Sequence, residues 1–530
     1  MVSSLFPEKL NTLPLSSRIA ELKQRMFRET RYLSIEQALL ITESYKQNEA
    51  APRIIGRARA FSHAARHIAV TIDPDELVVG NRTAGVRAGV VFPEAGIDWL
   101  DKEIETLPDR PQDKFQVRPE DIAVFREEIL PYWRGKTLED EVERRTGDEI
   151  KALKRVVKIN QTDHAQGHIC PNVEKWLTLG PAGIKREAER ASTTADFYKA
   201  VIATLGGASA FMVRYAELAE SMTADGHGRT PEQKQNLAEI ARICRKLAER
   251  PPETLREAVQ SVWFLFVLLQ LESNASSFSP GRMDQYLYPY YRRDIDSGVL
   301  SEEEALEFIE ALWLKFNQIV YLRNGGSAKY FAGFPIGFNV AIGGQRMPDG
   351  FDTPVDAVNE LSYLMLKAQD HLGLPQPNLS ARLHENSPDE FIDECARVIG
   401  LGSGMPQIFN DESIIPALKT QGISHPHAVD YAVVGCVELS TQGNNLGWSD
   451  AAMFNLVKVL ELTLTGGRCL LSGEKIGIDT GDITSYSSFA ELEEAYRKQI
   501  EHFTERMIAA CEVVDRLHAD ILPSPFLSAV

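Results

Sequence analysis

The chain of 530 residues has no long hydrophobic run. Its longest, residues 262–269, falls far short of the ~18 apolar residues that span a bilayer, which argues against a membrane-spanning helix. Cysteine is scarce. Cys170, Cys244, Cys395, Cys436, Cys469 and Cys511 are widely spaced, with no C-x-x-C and no histidine cluster. This is neither a disulfide framework nor a zinc site, so no metal is expected and a reducing cytoplasm fits best. Basic residues are in deficit, 57 against 75 acidic, for a formal charge of −18. That argues against nucleic acid or an anionic membrane as the main partner, although a local basic pocket can survive in an acidic protein. The N-terminus lacks a basic stretch followed by an apolar core, so no signal peptide is expected and a cytoplasmic location is expected. No repeat of 20 to 50 residues and no low-complexity linker stands out.

What is present is ample for a core: 44% of residues are hydrophobic. The length allows several ordinary domains or one large α/β barrel. Residues 1–75 read as helical, with a capping box at Ser34-Ile35-Glu36-Gln37. Residues 76–80 read as a short buried strand. Residues 252–271 read as a helix apolar nearly all round, hence buried. Ser301 and Glu304 form a second capping box, and Ser488 caps a long final helix. Residues 376–383 and 407–409 read as barrel strands, and 451–466 as an amphipathic helix. Arg397-Val398-Ile399-Gly400 fits a helix end with a glycine cap. Residues 524–530 are expected to begin a strand.

One stretch organises the rest. Residues 431–440, YAVVGCVELS, open with a β-branched apolar run that reads as a buried strand. Gly435 permits a tight turn, Cys436 sits at its tip, and Glu438 follows two residues on. If the turn stays extended, period-2 spacing points thiol and carboxylate the same way. A nucleophilic cysteine needs its thiolate, which positive charge stabilises; a carboxylate keeps the thiol protonated. A protonated S–H is a possible hydrogen-atom donor. The alternative is a buried structural cysteine beside a surface glutamate.

Residues 435–452, GCVELSTQGNNLGWSDAA, resemble the active-site loop of the glycyl radical enzymes, which include pyruvate formate-lyase and the glycerol and diol dehydratases. Residues 272–286 (ESNASSFSPGRMDQY), 404–411 (GMPQIFND), 167–172 (GHICPN) and 522–527 (LPSPFL) resemble family segments too. The resemblance runs from about residue 15 to the last residue.

It implies an α/β fold: a ten-stranded barrel of two half-barrels surrounded by helices, with Cys436 on a loop projecting inward. Residues 1–530 are expected to form a pyruvate formate-lyase-like catalytic domain, incomplete at its C-terminus. The family's Arg-Val-x-Gly-aromatic motif, whose glycine stores the radical, is not found. The chain is therefore expected to be truncated, half of a split enzyme, or served by a separate glycyl-radical polypeptide. The implied partners are a radical S-adenosylmethionine activating enzyme, a small-molecule substrate and a second copy in a homodimer. No bound cofactor is implied.

The implied catalytic residues are Cys436, as thiyl radical, and Glu438, as base. Matching the family's motifs puts His168, Asn172, Ser276, Ser277, Phe334 and Asp450 at the substrate. Asn172 stands where the dehydratases carry an acid, Ser276 where they carry histidine, and Phe334 where several carry tyrosine. Those departures count against plain glycerol. His168 also fits a structural hydrogen-bonded histidine, and the two serines fit local backbone caps. His164 and His168, four apart, lack an acidic or cysteine partner at metal spacing.

The implied reaction is that of a carbon–oxygen lyase: C–O cleavage in a polyol or sugar phosphate, with 1,5-anhydroglucitol 6-phosphate one candidate. Pyruvate formate-lyase (formate C-acetyltransferase) activity ranks below it, because Gly435 stands where that enzyme has a second cysteine. Two readings from other classes stay open. One is a hydrolase or transferase with Cys436 as conventional nucleophile and His168 as its base. The other is an inactive remnant that binds another subunit.

Overall fold

The computed structural model describes residues 6, 10 and 12–530, apart from 160–166, 192–193, 226–227, 334–335, 349 and 445–450, with the backbone alone over 147–152. Among the described residues the architecture is mixed α/β. Its centre is the helix Leu255–Glu272, capped by a reciprocal box between Thr254 and Glu257. With apolar side chains all round, it is buried on every face. Its indole-bearing residue Trp263 donates to the Gly80 carbonyl at 2.8 Å, so even the polar edge of that ring is satisfied.

Beside this helix lies a parallel ladder of three strands, in the order Asn339–Gly343, Asn378–Leu383, Gln407–Asn410. Helices Glu360–Leu372 and Asp389–Val398 make the two crossovers that parallel strands require. On the other side of the first strand, Gly281 bridges to Val340. Ile169 bridges to Phe278 in turn. Five stretches of chain thus lie side by side, and those around Ile169, Phe278, Asn339 and Asn378 carry or adjoin residues of the site described below. The ladder is not seen to close into ten paired strands among the described residues.

The antiparallel hairpin Tyr431–Val434 and Glu438–Thr441 follows, in the register Val434↔Glu438. Arg382, wholly buried in the middle strand, holds its base. The guanidinium donates to both carboxylate oxygens of Asp411 (3.0 and 2.9 Å) and to the carbonyls of Tyr431 (2.8 Å) and Val429 (2.9 Å). It also stacks 3.8 Å from the Tyr431 ring centre. Burial works against the Arg382 charge, but Asp411 outweighs it and its pKa is raised. Arg282 secures the other side, pairing with Asp430 at 2.9 Å while its backbone N–H donates to Gln442 at 3.0 Å.

Several local expectations are corrected. Residues 76–80 are buried but form no strand, because no strand lies alongside; the Gln260 side-chain amide takes both polar groups of Val79 instead. Ser34 pairs with Val90 in a two-residue strand, so it cannot cap the helix that starts at Glu36. Gly400 lies inside a π-helical turn, and the left-handed cap falls at Gly404. Residues 452–454 form a strand against 157–159, which delays the expected helix to Leu456–Leu464. Residues 527–529 make a 3-10 turn instead of opening a strand. The boxes at Ser301 and the cap at Ser488 form as expected. No helix among the described residues is long and apolar enough to cross a membrane.

Candidate active site

Gly435, Cys436 and Val437 form the tip of the hairpin. Gly435 adopts φ +58°, the left-handed conformation that lets the strand reverse. The turn is not extended, so period-2 spacing does not bring the thiol and carboxylate together. Glu438 instead folds back over the tip. Its Oε2 accepts the backbone N–H of Cys436 (2.9 Å) and of Val437 (3.0 Å). Cys436 itself is exposed, where enclosure within a barrel was expected.

His168 completes the carboxylate's surroundings, with Nδ1 3.4 Å from Glu438 Oε1. Burial pushes the Glu438 pKa up, but the His168 contact and the backbone N–H groups prevail and hold it below the ordinary carboxylate value. The group is therefore an ionised carboxylate at neutral pH, able to accept a proton. His168 takes a positive φ of +57°, and its N–H donates to the Ser276 carbonyl at 3.0 Å. Its Nε2 stands 3.4 Å from Ser276 Oγ. Gly167 permits this approach: a Cβ there would lie 2.0 Å from the Ser276 carbonyl oxygen.

Ser277, also at positive φ, aims its hydroxyl at the tip: a Cβ on Gly435 would meet Ser277 Oγ at 3.0 Å, Glu438 Oε2 at 3.0 Å and His168 Cε1 at 3.2 Å. Cys436, Glu438, His168, Ser276 and Ser277 thus gather at one place. Asn172 does not join them by any hydrogen bond. Its Oδ1 caps the helix Val173–Ala191 through the Lys175 N–H (2.9 Å), and it lines a separate cavity of about 310 Å³ with Cys170, Gly443, Asn444 and Ser524. Phe334 and Asp450 lie outside the described residues, as does His164.

Three residues at the site escaped the sequence reading. Asn339 and Asn378 both donate to the Gly435 carbonyl, at 3.0 and 2.8 Å, and Ser279 Oγ accepts the Gly435 N–H at 3.2 Å. The one signal was an asparagine at the start of each of two strands. Among the described residues no group of three or more histidine, cysteine or acidic side chains could hold a metal ion.

A family model described as pyruvate formate lyase-like matches residues 11–530. The chain belongs to this family of glycyl radical enzymes. It is 35% identical over 524 residues to isethionate sulfite-lyase of Oleidesulfovibrio alaskensis, covering 94% of this chain and 62% of that protein. It is 37% identical over 506 residues to the probable dehydratase YbiW of Escherichia coli, covering 91% and 61%. The solved structure of the glycerol-bound, B12-independent glycerol dehydratase from Clostridium butyricum superposes with a TM-score of 0.92 at 35% identity, covering 97% of this chain and 66% of that one. The chain spans less than two thirds of the length of the curated relatives it matches.

Proposed function

We propose that this glycyl radical enzyme chain carries the thiol site of a carbon–oxygen lyase, with Cys436 as the hydrogen-atom carrier and Glu438 as the base. The observation that carries the reading is the hairpin tip, where the backbone N–H of an exposed cysteine donates to a carboxylate held ionised. A glycyl radical, set by a radical S-adenosylmethionine activating enzyme on this polypeptide or another, supplies one thing: it removes the hydrogen atom from the Cys436 S–H. Cys436 then takes a hydrogen atom from a substrate carbon that bears a hydroxyl. Glu438 takes that hydroxyl's proton, as general base. The neighbouring C–O bond breaks, and the departing oxygen collects a proton, with His168 positioned to donate to it. Cys436 returns its hydrogen atom to the carbon that lost oxygen. The net change is a vicinal diol to a carbonyl compound and water.

The substrate reading is a polyol, supported by the Ser276 and Ser277 hydroxyls that lie beside His168 and the hairpin tip. Acyl transfer from pyruvate lacks its second cysteine at Gly435. The ten-stranded barrel belongs to the same proposal, supported by the TM-score of 0.92 to a dehydratase; a cytoplasmic location and a homodimer are proposed with it.

The test is turnover by the full-length, radical-loaded enzyme on glycerol, propane-1,2-diol, a sugar phosphate, and pyruvate with coenzyme A. A polyol should give its aldehyde or ketone, and Glu438→Gln should lower kcat about 10²- to 10⁴-fold. Acyl-coenzyme A from pyruvate, or no carbonyl product from any polyol by enzyme carrying its radical, would sink the reading.

A further inference from the structure

The peptide unit between Gly435 and Cys436 is gripped at both ends. Its carbonyl oxygen accepts two side-chain amides, from Asn339 at 3.0 Å and Asn378 at 2.8 Å. A carbonyl has two lone pairs, and both are used. Its N–H donates to Glu438 Oε2 at 2.9 Å. The preceding N–H, of Gly435, is held by Ser279 Oγ at 3.2 Å.

The two asparagines are directly opposite each other in the parallel ladder, so their side chains leave the sheet on one face and converge. Neither is needed to hold its own strand. The Asn378 N–H is taken by the Phe338 carbonyl at 2.7 Å, and the Asn339 N–H by Ser279 Oγ at 3.2 Å. Nor are they needed to anchor the hairpin, whose base Arg382 and Arg282 already hold. Two buried or half-buried amides are thus spent on one carbonyl, next to the thiol and bonded through the same peptide to the base.

We propose that Asn339 and Asn378 are positioning residues that set where the Cys436 thiol stands relative to Glu438 and the substrate. This rests on the function proposed above. Hydrogen-atom transfer needs the reacting atoms about 3–3.5 Å apart, a tolerance that a turn held at both ends of one peptide can keep. The clamp supplies that hold. It also ties thiol to base: any shift of the Gly435–Cys436 peptide moves the N–H that Glu438 accepts.

The experiment compares wild type with Asn378→Ala, which deletes one donor at a half-buried position, and Asn378→Ser, which keeps a shorter donor. The first measurement is hydrogen–deuterium exchange of the peptide covering 431–441, on the chain as it stands. The second is kcat and KM on a polyol, with the glycyl radical counted by electron paramagnetic resonance. The clamp predicts exchange at least about tenfold faster in that peptide alone for Asn378→Ala. It also predicts an equal radical count, an unchanged KM, a kcat lower by about 10- to 100-fold, and partial recovery in Asn378→Ser. A purely structural role would raise exchange and lower Tm while leaving the kcat-to-KM balance alone.

Wild-type exchange in Asn378→Ala, or wild-type kcat in that variant, overturns the proposal. If wild type holds its radical but turns over no polyol, the functional reading fails. The positioning role falls with it, and the exchange result then decides whether the clamp exists as a structural device.

Discussion

Replacing Gly435 with alanine tests the convergence of the site in one substitution. The position has φ +58°, where an L side chain costs ~1–2 kcal/mol. The added Cβ would meet Glu438 Oε2 and Ser277 Oγ at 3.0 Å and His168 Cε1 at 3.2 Å. All three are the ends of side chains, not backbone, so each gives way by a few tenths of an ångström and the fold survives. The displaced groups are the proposed base, a proposed substrate hydroxyl contact and the proposed proton donor. A misplacement of about 1 Å at a reacting centre can cost on the order of 10²-fold in rate, so shifts of a few tenths cost less, about 10-fold. Gly435→Ala should therefore lower Tm by only a few degrees, about 2 °C per kcal/mol or less in a chain this large, and kcat by about 10-fold. The assay pairs a thermal melt of the chain with kcat of the radical-loaded enzyme. A kcat within twofold of wild type would refute the reasoning, because three side chains cannot shift together and leave an intact active site.

Other perturbations read other parts of the structure. Arg382→Met leaves the wholly buried Asp411 carboxylate without its partner, so urea denaturation should show a loss of ~3–5 kcal/mol, while a loss under about 1 kcal/mol would contradict the hub described here. The Cys469 thiol is brought down to about 6 by the Ser472 hydroxyl and by Lys458, whose Nζ stands 3.0 Å from its sulfur. Iodoacetamide at pH 7 should label it well before Cys170 and Cys244, whose thiols burial pushes up, and Lys458→Met should slow the labelling; equal rates by peptide mapping would refute this. Burial raises Glu272 from 4.5 to about 7, even though it accepts the N–H groups of Phe526 and Leu527. Because the folded pKa is the higher one, this contribution is fully present below about pH 4.5 and is lost as pH rises through 7, by up to ~3 kcal/mol. Urea midpoints at pH 5 and pH 8 should fall in wild type more steeply than in Glu272→Gln, and parallel slopes would contradict it.

Legibility in the sequence followed the range of the interactions. The helix Leu255–Glu272 was plain because burial on all faces leaves one unbroken apolar stretch. The strands beginning at Asn378 and Gln407 were plain for their glycine and proline boundaries. The buried strand before Gly435 was legible too, but the geometry at the tip was not. Periodicity describes a continuing strand, whereas Glu438 reaches back to two N–H groups across a reversal. The strand expected at 76–80 failed because a glutamine on a distant helix can mimic a strand's hydrogen bonds. His168, Ser276 and Ser277 came from resemblance alone, since their contacts cross more than 100 residues of chain in the case of His168 and Ser276. Asn339 and Asn378 were invisible for the same reason: a polar residue at a strand start looks like a boundary until the partner carbonyl is seen, and Ser279 until the Gly435 N–H it accepts is seen.

The central claim is that Cys436 carries the hydrogen atom. The most direct measurement loads the full-length Cys436→Ala enzyme with its glycyl radical, then records the electron paramagnetic resonance spectrum and the product in the same sample. The account predicts a glycyl doublet as large as that of wild type and no carbonyl product from a polyol that wild type converts. Product formation by the radical-loaded Cys436→Ala enzyme would contradict it.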